Sequence, residues 1–340
     1  MHHSLFLLLT ILGCAAASSP AAHQVSTQAS TKPASDRPAS VAAAKPAAED
    51  WSKLPVDRAV LKPFLTGVVL AKSDAPTYSR ELVRLEWRHG DPIDIYVVKP
   101  RGIVKPRVAL YLYSFPSDND RFMDDGWCKR ATGAGTAAVG FISAMTGYRI
   151  QNHPLKEWFV SDLQESMGSS AHDVQLIIDY LAGRSDLSAN QVGMWGQGSG
   201  ASIAILAAAA DPRIAVLDLL NPWGDWPDWL KSSPVVPAAE RTKYLTPEFL
   251  QSVAAVDPVA YLPRLGGRTI RVQQVMDDED TPATAKQKIA SAVPAGGLAQ
   301  YKDLAAHREA WKSSGLSAWI ASQLSAGAQS SPPSASNTPL

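Results

Sequence analysis

The sequence predicts an α/β protein with a mostly parallel central sheet covered by helices on both faces. Three observations predict it. Strand-like and helix-like segments alternate along the middle of the chain. Several strand segments are continuous apolar runs, the mark of strands buried on both faces. The intervening segments place apolar residues at helical spacing. At 340 residues and 46% hydrophobic content, the chain is long enough to bury a full core.

The elements follow in order. "RELVRLEW" and "IDIYVVKP", joined by the turn-like "RHGDP", read as an antiparallel hairpin. "RVALYLYSF" is a buried strand, residues 121–131 a helix, and "TAAVGFISA" a second strand. "SSAHDVQLIIDYLAG" is a helix with Ser170 as N-cap and Gly183 as stop. "QVGMWG", "ASIAILAAAA" and "RIAVLDLL" continue as strand, helix and strand. "RTIRVQQVM", "PATAKQKIASAV", "LAQYKDL" and a closing helix from Ser313 to Leu324 complete the pattern. Ligands of such sheets sit beyond the carboxyl ends of the strands.

The two ends of the chain have a different character. The apolar run Leu5 to Leu12 has the length of a signal-peptide core and falls far short of the ~20 residues that span a bilayer. Ile-Leu-Gly-Cys resembles a bacterial lipobox, which would make Cys14 a lipidated residue, although the n-region lacks Lys and Arg. Residues 1–14 are thus expected to be a signal, and 15–50, rich in Ala, Ser, Pro and Thr, a disordered tether. Residues 51–324 form the expected domain, and 325–340 a second disordered tail. The expected location is the periplasm or cell envelope, otherwise secreted, with membrane contact only through Cys14.

Lys+Arg and Asp+Glu balance at 32 each, which leaves no global field for nucleic acid. Export leaves Cys128 alone, so no internal disulfide is expected, and Cys128 reads as a packing residue. No Cys/His spacing suits a metal, and "GQGSG" is a poor dinucleotide fingerprint. Neither metal nor cofactor is expected.

"VGMWGQGSGASIA" resembles the strand-turn-helix nucleophile elbow of the α/β-hydrolase superfamily. Such an elbow needs small residues two before and two after the nucleophile. Centring on Gly198 puts Gly196 and Gly200 there, whereas centring on Ser199 puts Gln197 and Ala201 there. The first register is preferred, and it leaves glycine at the nucleophile's place; Ser199 is the alternative nucleophile. The resemblance spans Tyr78 to Leu324, in the style of dienelactone-hydrolase-like and serine-peptidase-like members. It implies an acid in "VMDDEDTPATA", Asp280 with Asp278 as the fallback, and a histidine in "YKDLAAHREAW", His307.

Where the family commonly has His-Gly, this chain has Tyr113-Ser114. The backbone donors of an oxyanion hole would then be Phe115 and Ser199, since Pro116 has no N–H. An insert at about 222–265 stands where relatives carry a cap. Its Trp223, Trp226 and Trp229 either line a pocket or pack the cap.

The leading expectation is an exported hydrolase-family protein without classical serine-hydrolase turnover, in which His307 and Asp280 activate water on an ester or amide. One alternative is a non-catalytic protein that binds a small molecule, peptide or protein. The other is an active esterase or peptidase using Ser199.

Overall fold

The computed structural model describes residues 48–62, 66–117, 119–146, 149, 159–313 and 318–330. The apolar run, Cys14 and nearly all of the Ala/Ser/Pro-rich stretch lie outside the described residues, as does 331–340. Among the described residues no helix is long and apolar enough to cross a membrane.

Nine strands form one sheet in the order β1-β2-β3-β5-β4-β6-β7-β8-β9. β2 (Tyr78–Leu85) and β3 (Ile93–Pro100) pair antiparallel from Tyr78↔Pro100 to Leu85↔Ile93, the hairpin expected from the sequence. β3 meets β5 (Ala137–Gly140) antiparallel. From β5 through β4 (Arg107–Leu112), β6 (Ser188–Gln197), β7 (Ile214–Leu220), β8 (Thr269–Val275) and β9 (Leu298–Tyr301) every pairing is parallel. The apolar runs of β4 and β7 are buried almost throughout because helices cover both their faces.

β1 (Val68–Asp74) is an edge strand that the sequence reading did not include. All seven of its residues are exposed, so it carries no inward-outward alternation to betray it.

Helices α2 (Leu163–Ala182) and α3 (Ser199–Ala210) pack on one face of the sheet. α3 is apolar nearly all round, as befits a helix held between the sheet and α2. α1 (Asp125–Thr132) and α9 (Trp319–Ser330) cover the other face, over a separate core of Tyr111, Phe122, Cys128, Val216 and Ile320. Gly193 lets α9 approach, since a Cβ there would overlap the Ile320 side chain.

Two expected helix boundaries are corrected. Ser170 is not an N-cap; it lies inside α2, where its hydroxyl donates to the Ser166 carbonyl (2.7 Å) and accepts the Ala144 N–H (3.1 Å). The helix starts earlier and passes through Gly168, whose missing Cβ makes room for the Trp51 backbone. The single closing helix from Ser313 to Leu324 is instead two helices, α8 (Leu304–Ser313) and α9, with 314–317 between them outside the described residues. Asp303 starts α8, its carboxylate accepting the Ala306 N–H at 2.8 Å.

A buried ionic cluster ties the segment before β1 to α2. Arg149 donates to Asp91 (2.6 and 2.9 Å) and to Asp173 (2.8 Å), and Arg88 reaches both Asp173 and Glu49. Glu49 also meets His172 Nδ1 at 2.6 Å. Burial opposes ionisation of Asp173, but the charges of Arg88 and Arg149 outweigh it and hold the carboxyl below its usual range.

The insert after β7 contains α4 (Trp226–Ser232), α5 (Arg241–Tyr244) and α6 (Pro247–Val253). α7 (Ala283–Ala292) follows β8.

Candidate active site

Strand β6 ends at Gln197 and α3 begins at Ser199, so one residue, Gly198, makes the whole turn. Its backbone has φ 52° and ψ −119°, a conformation that costs a non-glycine residue on the order of 1–3 kcal/mol. The Gly198 N–H still donates to Leu220 at 2.9 Å, and its carbonyl accepts the Ala201 and Ser202 N–H groups that open the helix.

The flanking glycines are needed for close approach. A Cβ on Gly196 would come within 2.6 Å of Ala201 Cα, and one on Gly200 would come within 2.8 Å of the Leu112 carbonyl carbon.

The space beside Gly198 is occupied. A Cβ built there would overlap Ser114 Oγ, and would lie 2.8 Å from Ser114 Cβ and 3.3 Å from the Trp223 indole nitrogen. Trp223 is held by the Ser202 hydroxyl, which donates to its carbonyl at 2.6 Å. Its ring packs against Phe159 (centroids 6.1 Å apart) and Trp229 (4.9 Å). Trp226 and Trp229 are fully buried beside it, with the Trp226 indole donating to Val256 at 3.1 Å. The three tryptophans thus form one packed cluster, and its innermost ring reaches the turn.

Ser199 is completely buried. Its hydroxyl accepts the Phe115 N–H at 2.9 Å, and the Ser199 N–H points to Ser114 Oγ at 3.4 Å. Both backbone groups that the resemblance implies as oxyanion donors are therefore turned toward serine hydroxyls of the protein itself.

The acid and the histidine lie in different surroundings. Asp280 is on the exposed loop between β8 and α7, and its backbone carbonyl accepts the Ser233 hydroxyl at 2.7 Å. Desolvation, and then the charge of Glu279, push its carboxyl up. Asp278 is half-buried and caps the same loop, accepting the Thr281 N–H at 3.2 Å.

His307, on α8, is 7% exposed and packs edge-on against Tyr301, with centroids 5.0 Å apart. Burial pushes its pKa down, as do Arg271 and Arg308, while the charge of Asp218 pulls it up. His307 Nε2 has no hydrogen-bond partner among the described residues. Among the described residues, no hydrogen bond joins His307 to Asp280.

The carboxylate near His307 is Asp218 of β7, a residue outside the sequence-based candidates. Arg271 holds it with two bonds (2.6 and 2.9 Å) and Gln273 adds a third (2.8 Å). Its signal was present in the sequence: an acid inside the apolar run "RIAVLDLL" needs a buried partner, and "RTIRVQQVM" supplies an arginine.

Neither protein-family models nor curated protein sequences match the chain. Solved structures do. An acetyl xylan esterase from Paenibacillus sp. R4 superposes with a TM-score of 0.57 at 15% identity, over 73% of this chain and 86% of that one. A cold-adapted esterase from an Arctic intertidal metagenomic library gives 0.55 at 15% identity, over 76% and 99%. 2,6-dihydroxy-pseudo-oxynicotine hydrolase gives 0.54 at 19% identity, over 76% and 72%. At these identities the likeness concerns architecture, and with the sheet described above it shows that this chain has the α/β-hydrolase fold.

Proposed function

We propose that this protein uses the α/β-hydrolase fold for binding rather than for acyl-enzyme hydrolysis, with Gly198 standing where a nucleophilic serine would be. One observation carries the reading. The turn keeps a backbone suited to presenting a nucleophile, yet Gly198 has no side chain and Ser114 fills the space where one would start.

Three further features support it. Ser199 has its hydroxyl buried against the Phe115 N–H. Both oxyanion donors face protein hydroxyls. Among the described residues no hydrogen bond joins the Asp280 carboxyl to His307, so the acid–histidine pair of a triad is not formed. Loss of the nucleophile from a triad enzyme costs about 10⁶ in turnover, leaving only what the oxyanion hole and binding supply.

A fluorophosphonate probe and a short activated ester test this. The wild-type protein is expected to stay unlabelled and to leave the ester at its background rate. Covalent labelling of Ser114 or Ser199 would overturn the reading.

A second reading, water activated by His307, has one observation in its favour. The imidazole is held toward its neutral form and its Nε2 has no partner among the described residues. Ester hydrolysis by the wild type that disappears in His307→Phe would select it over the binding reading.

Export and lipidation at Cys14 remain part of the proposal. Fractionation of an expressing bacterium checks them, with release from the membrane in Cys14→Ala as the expected outcome.

A further inference from the structure

A cavity of about 640 Å³ lies on the α1 and α9 face of the sheet, between the carboxyl ends of β4, β6 and β7 and helix α8. That size is within the ~300–1,000 Å³ usual for small-molecule sites. Gln197, Leu220 and His307 line its inner end, so it adjoins the turn described above, while Gly198, Ser114, Phe115 and Trp223 are not among its lining residues.

Its walls are aromatic. Tyr113 and Trp195 meet at 5.1 Å between centroids on the sheet side, and Trp311 of α8 lies on the helix side. Flat rings on both sides favour a flat apolar ligand.

Its rim is cationic. Arg121, Arg130, Arg308 and Lys312 all line the cavity, and none has a carboxylate within ion-pair distance among the described residues. Arg121 instead stacks over Tyr113 (4.8 Å to the ring centroid) and Arg130 over Trp127 (5.9 Å). The acid in the lining, Asp218, is already paired with Arg271 and Gln273. Four cations gathered without direct ion pairs among the described residues make a positive field at the mouth of a low-dielectric hollow.

Three buried polar atoms in this lining also lack a hydrogen-bond partner among the described residues, Nε2 of His307, the Trp127 indole nitrogen and the Tyr113 hydroxyl. A buried polar group without a partner costs free energy that a bound ligand would recover.

We propose that this cavity binds an aromatic carboxylate, its ring between Trp195 and Trp311 and its charge at the arginine rim. The ligand class rests on the binding reading above for its role, but the two are tested by different measurements.

The experiment is calorimetric titration with 2-naphthoate and with its neutral isostere 2-naphthamide. Wild-type protein is expected to bind the carboxylate at least roughly tenfold more tightly than the amide. The double variant Arg130→Gln/Arg308→Gln should lose that preference while keeping its affinity for the amide. Both side chains are exposed, so the fold is retained, and an unchanged melting temperature verifies it. Leu304→Trp, at an exposed lining position, should weaken both ligands by filling the cavity. Equal binding of the two compounds, a preference that survives the double variant, or no measurable naphthoate binding would each overturn the proposal. Fluorophosphonate labelling of the wild type would overturn the non-hydrolytic reading instead and leave a positive titration standing.

Discussion

Ser114 and Gly198 exclude each other's side chains. The hydroxyl of Ser114 fills the position where a Cβ on Gly198 would lie, and its own Cβ stands 2.8 Å from that point. The segment that follows β4 and the turn after β6 thus meet closely at this point.

Gly198→Ala is therefore expected to destabilise the protein for two separable reasons. The positive φ costs on the order of 1–3 kcal/mol, and the overlap with Ser114 adds to it. Gly198→Ala/Ser114→Gly should recover the steric part but not the conformational part. Thermal melts of the three variants against wild type check this; a double variant no better than Gly198→Ala would mean that Ser114 yields freely.

Ser199→Ala removes the acceptor of the Phe115 N–H. Loss of that part-buried hydrogen bond costs about 0.5–1.5 kcal/mol, and denaturant titration should show a loss of that size. Probe reactivity should not change, because the hydroxyl serves structure. A loss of ester turnover greater than the loss of folded protein would contradict that assignment.

Acid should unfold the protein partly through Glu49. Its burial works against ionisation, but hydrogen bonds from Arg88 and His172 prevail and lower its pKa to about 2. The folded pKa is below the unfolded one, so its contribution is full above the ordinary carboxylate range of about 4.3 and fades as pH falls toward 2. Glu49→Gln should be less stable at pH 7 and should flatten the acid limb between about pH 5 and pH 2. Melting temperature against pH is the measurement.

His307 gives the same sign at higher pH. Burial holds its folded pKa below the unfolded value of about 6.5, so the unfolded chain takes up the proton first as pH falls. Stability is complete above that value and declines below it. His307→Phe removes the titration and should flatten the profile between about pH 7 and pH 5. A wild-type profile as flat as the variant's would show that the imidazole ionises freely in the fold.

Much of the architecture was legible because burial on two faces writes long apolar runs into a strand. β4, β6 and β7 were found that way, β8 by its place in the alternation of strands and helices, and the β2–β3 hairpin by its turn between β-rich segments. β1 escaped because Val68, Val69 and Leu70 are consecutive rather than alternating and the strand ends in polar residues, with all seven of its residues exposed on the sheet edge. The start of α2 escaped because Ser170 reads as its cap, whereas the helix runs on through Gly168, where the Trp51 backbone crosses. The turn at Gly198 was legible from the spacing of small residues at 196 and 200, because close backbone approach leaves no room for side chains.

The sequence by itself determined the order of most elements, the position of the sharp turn and the glycine at its apex, Gly198, all of which depend on local spacing or residue identity. Only the tertiary structure decided which side chains meet. It placed Ser114 in the gap beside Gly198, set His307 near Asp218 rather than in contact with Asp280, and gathered Arg121, Arg130, Arg308 and Lys312 from three segments around one aromatic hollow. Such meetings depend on how loops far apart in the chain return over the ends of the strands, and no local pattern of residues encodes that path.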